Sequence, residues 1–240
     1  CKPAPEILLR RIRNIPGIQD VRARIKQESV IDFPEEDLPS SGRFVSITEG
    51  MNELTITEGR LPVTNEEVVL SLSFAKANNL LPGKKIGVIL QGKKKFLHVV
   101  GIALSSEFVY VFSNVSILPD PKHFGILWMK KEALESAFQM QGAFNDLIFT
   151  FAKDAPVKST LKLLDEELEG YGGLAAYDRD KLRSHSFLRD EFEQLRTTAY
   201  LMPLIFLGVA AFLLHIVSTR IIAKEREQIA TLKAVGYSNL

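Results

Sequence analysis

The sequence predicts an α+β fold. An extracytoplasmic α/β subdomain is built from both ends of the domain, with a β-rich subdomain inserted between them. A stalk and transmembrane helix follow, and then a short cytoplasmic helix. Three observations carry this reading. Residues 197–219, TTAYLMPLIFLGVAAFLLHIVST, contain no Asp, Glu, Lys or Arg. A bilayer core of about 30 Å takes roughly 20 mostly apolar residues in a helix. The middle of the chain is a series of short apolar strands separated by turn residues. The β–α–β pattern before the stalk resembles the helix-and-strand unit at the start. The expected division is 1–183, 184–219 and 220–240.

Taken in order, residues 5–17 place Ile7, Leu8, Ile12 and Ile15 at helical spacing, with Pro16-Gly17 as the stop. Residues 18–33 alternate Val21, Ala23 and Ile25 as one strand would. Residues 34–42 are a loop by composition. RFVSI, ELTITEGR and NEEVVLS read as short strands, and SFAKANNLLPG as a short helix ending at Pro82-Gly83. Residues 84–104 read as two strands joined at Gln91-Gly92. EFVYVF and FGILWM continue the strands, and LPDPKHF between them is a loop. KEALESAFQM is an amphipathic helix. NDLIFTFA, then a helix from Pro156 to Gly170, then GLAAYDR as a strand, complete the domain. SHSFLRDEFEQLR is a helix that Ser184 or Ser186 can cap. It runs on as a stiff rod, with Pro203 in the first turns of the span, where it costs least.

The flanks of the apolar run orient it. Arg220, Lys224, Arg226 and Lys233 follow it closely, whereas Arg189 and Arg196 before it are interleaved with Asp190, Glu191 and Glu193. The excess of basic residues puts the C-terminal side in the cytoplasm and the large domain outside. His215 is the one titratable group inside, near the helix end.

Several chemistries find no support. A net charge of +1 lacks the basic field that nucleic acid requires. One cysteine excludes an internal disulfide and cysteine-rich metal sites. Cys1 suits a lipidated N-terminus, but no signal segment precedes it, and an excerpt boundary is the preferred reading. Gly87 to Lys94 fits GxxxxGK, the phosphate-binding loop. Its last position is Lys94 instead of Ser or Thr, and strands flank it on both sides. A lysine-tipped hairpin is the better reading. His98, His123, His185 and His215 have no metal-ligand spacing. No GxSxG elbow occurs. The acidic clusters Glu35-Glu36-Asp37 and Asp165-Glu166-Glu167 read as solvated. Nothing supports an enzyme. Phe108, Tyr110 and Phe112 share one face of an alternating stretch. They read as core, or else as a contact surface for a lipid-like ligand or another protein.

The last residues carry the sharpest signal. Ile222, Ile229, Leu232 and Val235 form an apolar stripe, and Ala223, Ala230 and Ala234 keep another face thin. Arg226, Glu227 and Lys233 charge the segment. Gly236 supplies a C-cap, and Ser238 can cap a next helix. A short capped helix at the interface suits a groove on a partner. Residues 226–238, at Arg226, Glu227, Ile229, Ala230, Leu232, Lys233, Ala234, Val235, Gly236 and Ser238, resemble the segment after the second membrane helix of the FtsX-like permease family of ABC transporters. IPGIQDVRARI, Gly59-Arg60-Leu61-Pro62 and FLHVVGIALSSEFVYVF resemble that family's extracytoplasmic core domain, as found in permeases of the macrolide-exporter and lipoprotein-releasing type.

The resemblance implies a permease subunit in the bacterial inner membrane that relays ATP hydrolysis to its outer domain. The cargo would be lipids, lipoproteins or other amphiphiles. It implies a cytoplasmic ABC ATPase partner coupled through Arg226, Glu227, Ile229, Leu232, Lys233 and Gly236. It also implies contact with membrane lipids, and a homodimer or a pseudo-dimer with a second permease half. ATP would sit on the partner, so no cofactor is expected in this chain. The alternative is a signalling or scaffold module that activates extracytoplasmic cell-wall hydrolases. The family has at least four spans per unit, so this chain is expected to be part of a longer one.

Overall fold

Ile25 marks where the chain changes sheets. The expected single strand over residues 18–33 divides there, and the computed structural model, which describes residues 2–33, 40–113 and 118–236, shows why. Ile25 is wholly buried; its N–H donates to the Ser46 hydroxyl at 3.0 Å and its carbonyl accepts the Ser46 N–H at 2.9 Å. A residue tied on both sides to one partner cannot continue a ladder with another.

In chain order the elements are β1 (Ala4–Pro5), α1 (Leu8–Arg13), β2 (Ile18–Arg24), β3 (Lys26–Asp32), β4 (Ser40–Ser46), β5 (Thr55–Gly59) and β6 (Glu67–Ser71). Then come α2 (Leu72–Ala77), β7 (Lys85–Leu90), β8 (Lys93–Leu104), β9 (Phe124–Met129), α3 (Lys131–Phe138), β10 (Ala143–Phe144), β11 (Asp146–Phe151), α4 (Val157–Glu169) and α5 (Arg183–Ala234). Residues 1–187 form one compact unit and 188–240 a second.

Both ends of the first unit do meet, as the α/β reading expects. β2 pairs antiparallel with β11, from Asp146 opposite Arg24 to Phe149 opposite Val21. Leu8, Ile12, Ile15, Val21, Phe144 and Leu164 share one core, so α1 and α4 bury their apolar faces with the same strand pair. The Pro16-Gly17 stop is fixed from the far end of the domain: the Thr160 hydroxyl donates to the Pro16 carbonyl at 3.0 Å. Gly17 has φ +95°, and a Cβ there would lie 2.3 Å from that hydroxyl. The first helix is shorter than its periodicity suggests. Pro5 is drawn into β1, which pairs with β10, and Ile7 is left 72% exposed.

The inserted β-rich part is a closed barrel. β8, β6, β9, β4, β3 and β7 follow one another, and β7 also pairs with β8, which completes the ring. Closure removes sheet edges that would otherwise invite other chains. β8 makes it possible by its length. Its first half pairs with β7, its second half with β5 on that side, and β6 lies along the other. Phe44, Leu70, Phe74, Val88, Val99 and Leu127 fill the interior, joined by Leu134 and Phe138 of α3. The β7–β8 turn is of the expected kind, with positive φ at Gln91 (48°) and Gly92 (74°), as a type I′ turn requires.

Gly101 lies where β8 runs close against the chain leaving β5: a Cβ there would meet the Arg60 carbonyl at 2.4 Å. Backbone cannot yield as a side-chain tip can. Gly101→Ala is expected to destabilise the domain by about 1–3 kcal/mol in urea unfolding. Gly170→Ala, with open space around the position, serves as a near-neutral control.

Two expected strands are absent. After β8, the Ser105 hydroxyl accepts the Glu107 N–H at 3.2 Å and the Ser105 carbonyl accepts the Phe108 N–H at 3.3 Å, so residues 107–112 turn instead of extending. In GLAAYDR the Ala176 N–H goes to the Asp165 carboxylate at 2.6 Å, and a side chain takes the place of a neighbouring strand.

The C-terminal segment also departs from expectation. α5 is a single helix of 52 residues, about 80 Å long at 1.5 Å per residue. The short separate helix expected after the span is its continuation. Pro203 lies in the helix interior, not in a first turn, and the helix continues through it. By length and composition α5 is able to cross a membrane, and its apolar window is unburied within the protein.

Candidate functional site

The C-terminal end of α5 places Arg226, Glu227, Ile229, Leu232 and Lys233 on one exposed helical stretch. At 3.6 residues per turn, Ala223, Ala230 and Ala234 fall within about 40° of one another. Arg226 and Lys233 flank this thin strip on one side and Glu227 on the other. Ile222 and Ile229 lie beyond the two basic residues. Val235 has left the helix, so the apolar stripe is shorter than the spacing suggested. The Gly236 N–H donates to the Lys233 carbonyl at 3.1 Å, and its φ of +97° ends the helix in a conformation that favours glycine. Ser238 lies outside the described residues.

The start of α5 is held by the aromatic stretch. Phe108 stacks near Trp128 with ring centres 6.3 Å apart, and Phe112 is buried. Tyr110 and Phe112 meet the Phe187 ring edge-on at 4.8 and 5.6 Å. All three residues are thus engaged by the chain's own side chains, and Val109 is the exposed one, at 52%. Ser184 does not cap the helix as expected. It lies in the first turn, and its hydroxyl accepts the Tyr110 N–H at 3.0 Å.

Behind this stretch lies a buried charge cluster. Arg24 donates to both oxygens of Glu107, at 2.6 and 2.9 Å, and to Asp146 at 2.8 Å. Lys26 also reaches Asp146, at 2.6 Å, and the Asn52 amide donates to Glu107 at 2.9 Å. Burial alone would lower the Arg24 value. Asp146 and Glu107 outweigh it and hold the guanidinium above its ordinary range. Burial would likewise raise the Asp146 carboxyl, but Arg24 and Lys26 hold it below its usual range. Alternation in β2 puts Arg24 opposite Val21, Ala23 and Ile25, on the face a local reading would give to solvent. The chain that covers it is 83 residues away at Glu107. No local signal marks Arg24, Glu107 or Phe187, and Ser184 is legible in the sequence only as a candidate helix cap.

The other candidates separate. His98 is on β8, His123 bonds Asp120 at 2.8 Å, His185 lies 3.5 Å from Asp180, and His215 is on α5. Among the described residues no group of three His, Cys, Asp or Glu side chains is placed to hold a metal. Gly87 to Lys94 forms the hairpin, whose backbone is committed to its ladder. Asp165 and Glu167 are not the solvated pair expected: Asp165 caps Ala176, and Glu167 bonds Arg11 at 2.9 Å. Glu35, Glu36 and Asp37 lie outside the described residues.

Arg60 grips Glu67 with two bonds of 2.8 and 2.6 Å beside an open depression lined also by Thr64, Pro82, Gly83 and His98. Arg60 and the Val63 N–H bring the Glu67 carboxyl from its ordinary 4.5 down to about 2. A carboxyl depressed in the fold adds stability above its unfolded value, and that stability is lost as pH falls through the folded one. Between pH 4.5 and about 2, wild type is expected to lose more thermal stability than Glu67→Gln. Parallel melting curves for the two would refute this.

Neither a family model nor a curated protein matches the sequence. Solved structures similar to the chain include extracellular and periplasmic domains. One is the extracellular domain of the noncanonical ABC-type transporter YknZ from Gram-positive bacteria: 16% identical, TM-score 0.45, covering 73% of this chain and 88% of that one. Another is the periplasmic region of MacB from Actinobacillus actinomycetemcomitans: 15% identical, TM-score 0.45, covering 73% of this chain and 78% of that one.

Proposed function

We propose that the chain is part of a permease subunit of an ABC transporter, with residues 1–183 outside the cell membrane, 184–219 as stalk and span, and 220–240 in the cytoplasm. The observation that carries this is α5. One helix begins against Tyr110 and Phe112, contains the charge-free apolar run, and ends in the Arg226-to-Gly236 pattern. A continuous helix is a stiff element, suited to passing displacement from one end to the other. The thin alanine strip, flanked by Arg226 and Lys233 on one side and Glu227 on the other, suits insertion into a groove of a cytoplasmic ATPase. ATP is bound and hydrolysed on that partner; this chain does no chemistry of its own. The work done outside is movement of lipids, lipoproteins or other amphiphiles, by a subunit paired with a second copy or a second permease half.

The test is co-purification of the full chain with its cognate ATPase from membranes, followed by hydrolysis assays in lipid nanodiscs. Binding and a permease-dependent change in hydrolysis are expected. An ATPase that neither binds the chain nor responds to it would refute the proposal.

A further inference from the structure

The permease reading does not say where movement of α5 enters the domain. Ser184 and Phe187 are one turn apart on α5 and so face the same way. Phe187 meets Tyr110 and Phe112 edge-on, with interplanar angles of 66° and 67°. Ser184 takes the Tyr110 N–H. Any tilt or rotation of the helix start therefore acts on residues 110–112. Three residues earlier, Glu107 is forked onto Arg24 of β2, and Arg24 also holds Asp146 of β11. Two parallel charge-assisted bonds fix both distance and angle, so this attachment is stiff. The stretch also packs on the barrel: Val111 is buried with Val45, Val69, Phe124, Ile126 and Trp128, Phe108 lies 6.3 Å from Trp128, and the Arg43 guanidinium reaches the Phe112 carbonyl at 3.4 Å. Apolar packing lets side chains slide, whereas the Arg24 fork fixes an angle.

We propose that Phe187, seated on Tyr110 and Phe112, is the joint through which α5 moves the domain, and that Glu107 and Arg24 direct this motion into the β2–β11 pair. This rests on the permease reading. It assigns Phe187 a positioning role: the ring transmits displacement and touches no cargo.

Hydrogen exchange on the full chain in nanodiscs, with its ATPase and with or without vanadate-trapped nucleotide, tests it. Trapping is expected to change exchange in residues 18–24 and 146–151 about five-fold or more. In Phe187→Ala the ATPase should still bind, but that change should fall below about two-fold, with Phe187→Leu restoring most of it. Glu107→Gln should keep the response at residues 107–112 and lose it at 18–24. A nucleotide response in β2 that survives Phe187→Ala would overturn the joint. One that survives Glu107→Gln would overturn the route through Arg24. If no ATPase binds the wild type, the permease reading fails separately. The joint then stands or falls on the free chain, where Phe187→Ala must speed exchange of the Tyr110 amide about ten-fold.

Discussion

Arg24→Met is expected to lower the stability of the unit formed by residues 1–187 by about 3 kcal/mol. The Arg24 side chain is 4% exposed, and Glu107 and Asp146 are 8% and 14% exposed. Removing the cation leaves two carboxylates out of water. Lys26 remains 2.6 Å from Asp146, and Asn52 still donates to Glu107, which keeps the cost at the lower end of the range for broken buried pairs. In a domain of this size, about 3 kcal/mol corresponds to a drop of roughly 6–12 °C in Tm. Arg24→Lys should recover only part of it, because an ammonium cannot fork onto Glu107 and reach Asp146 as well. Adding Glu107→Gln to Arg24→Met should restore some stability by removing one of the orphaned charges. Melting curves of the four proteins decide this, and an Arg24→Met protein that melts with wild type would show that water reaches the cluster.

Gly236→Pro combined with Glu227→Lys is expected to reduce permease-dependent ATP hydrolysis at least about ten-fold while leaving the outer domain folded. Gly236 has φ +97°, which proline's ring, fixed near −65°, cannot adopt. The same change removes the N–H that donates to Lys233, so the last turn of α5 loses its cap. Glu227→Lys makes both flanks of the alanine strip positive and removes the asymmetry that would set the orientation of a docked partner. All these groups are exposed in the chain alone, so domain stability should not change. Unchanged binding and unchanged stimulated hydrolysis would show that the segment is not where the ATPase docks.

Much of this was legible locally. Turn chemistry at Gln91-Gly92, apolar runs in β6 and β9, and the leucine spacing of α4 each depend on neighbours a few residues away, and each element lies where those neighbours put it. The failures are equally local in cause. EFVYVF has strand composition, but Ser105 takes its first amides and turns it. GLAAYDR has no ladder because Asp165 bonds its backbone. A change in composition marks residue 220 as the start of a separate helix, yet composition says nothing about whether the backbone breaks, and α5 does not.

The sequence by itself determined the charge-free apolar run, the excess of basic residues after it, and the Arg226-to-Gly236 pattern, because these depend only on residue type and spacing along one helix. Only the tertiary structure decided that the strands close into a barrel, since closure depends on β7 pairing with both β3 and β8. It also decided that Arg24 is buried and that Phe187 rests on Tyr110 and Phe112. Those contacts join residues 75 to more than 120 positions apart. A charge or a ring bears no local mark of the distant segment that will cover it.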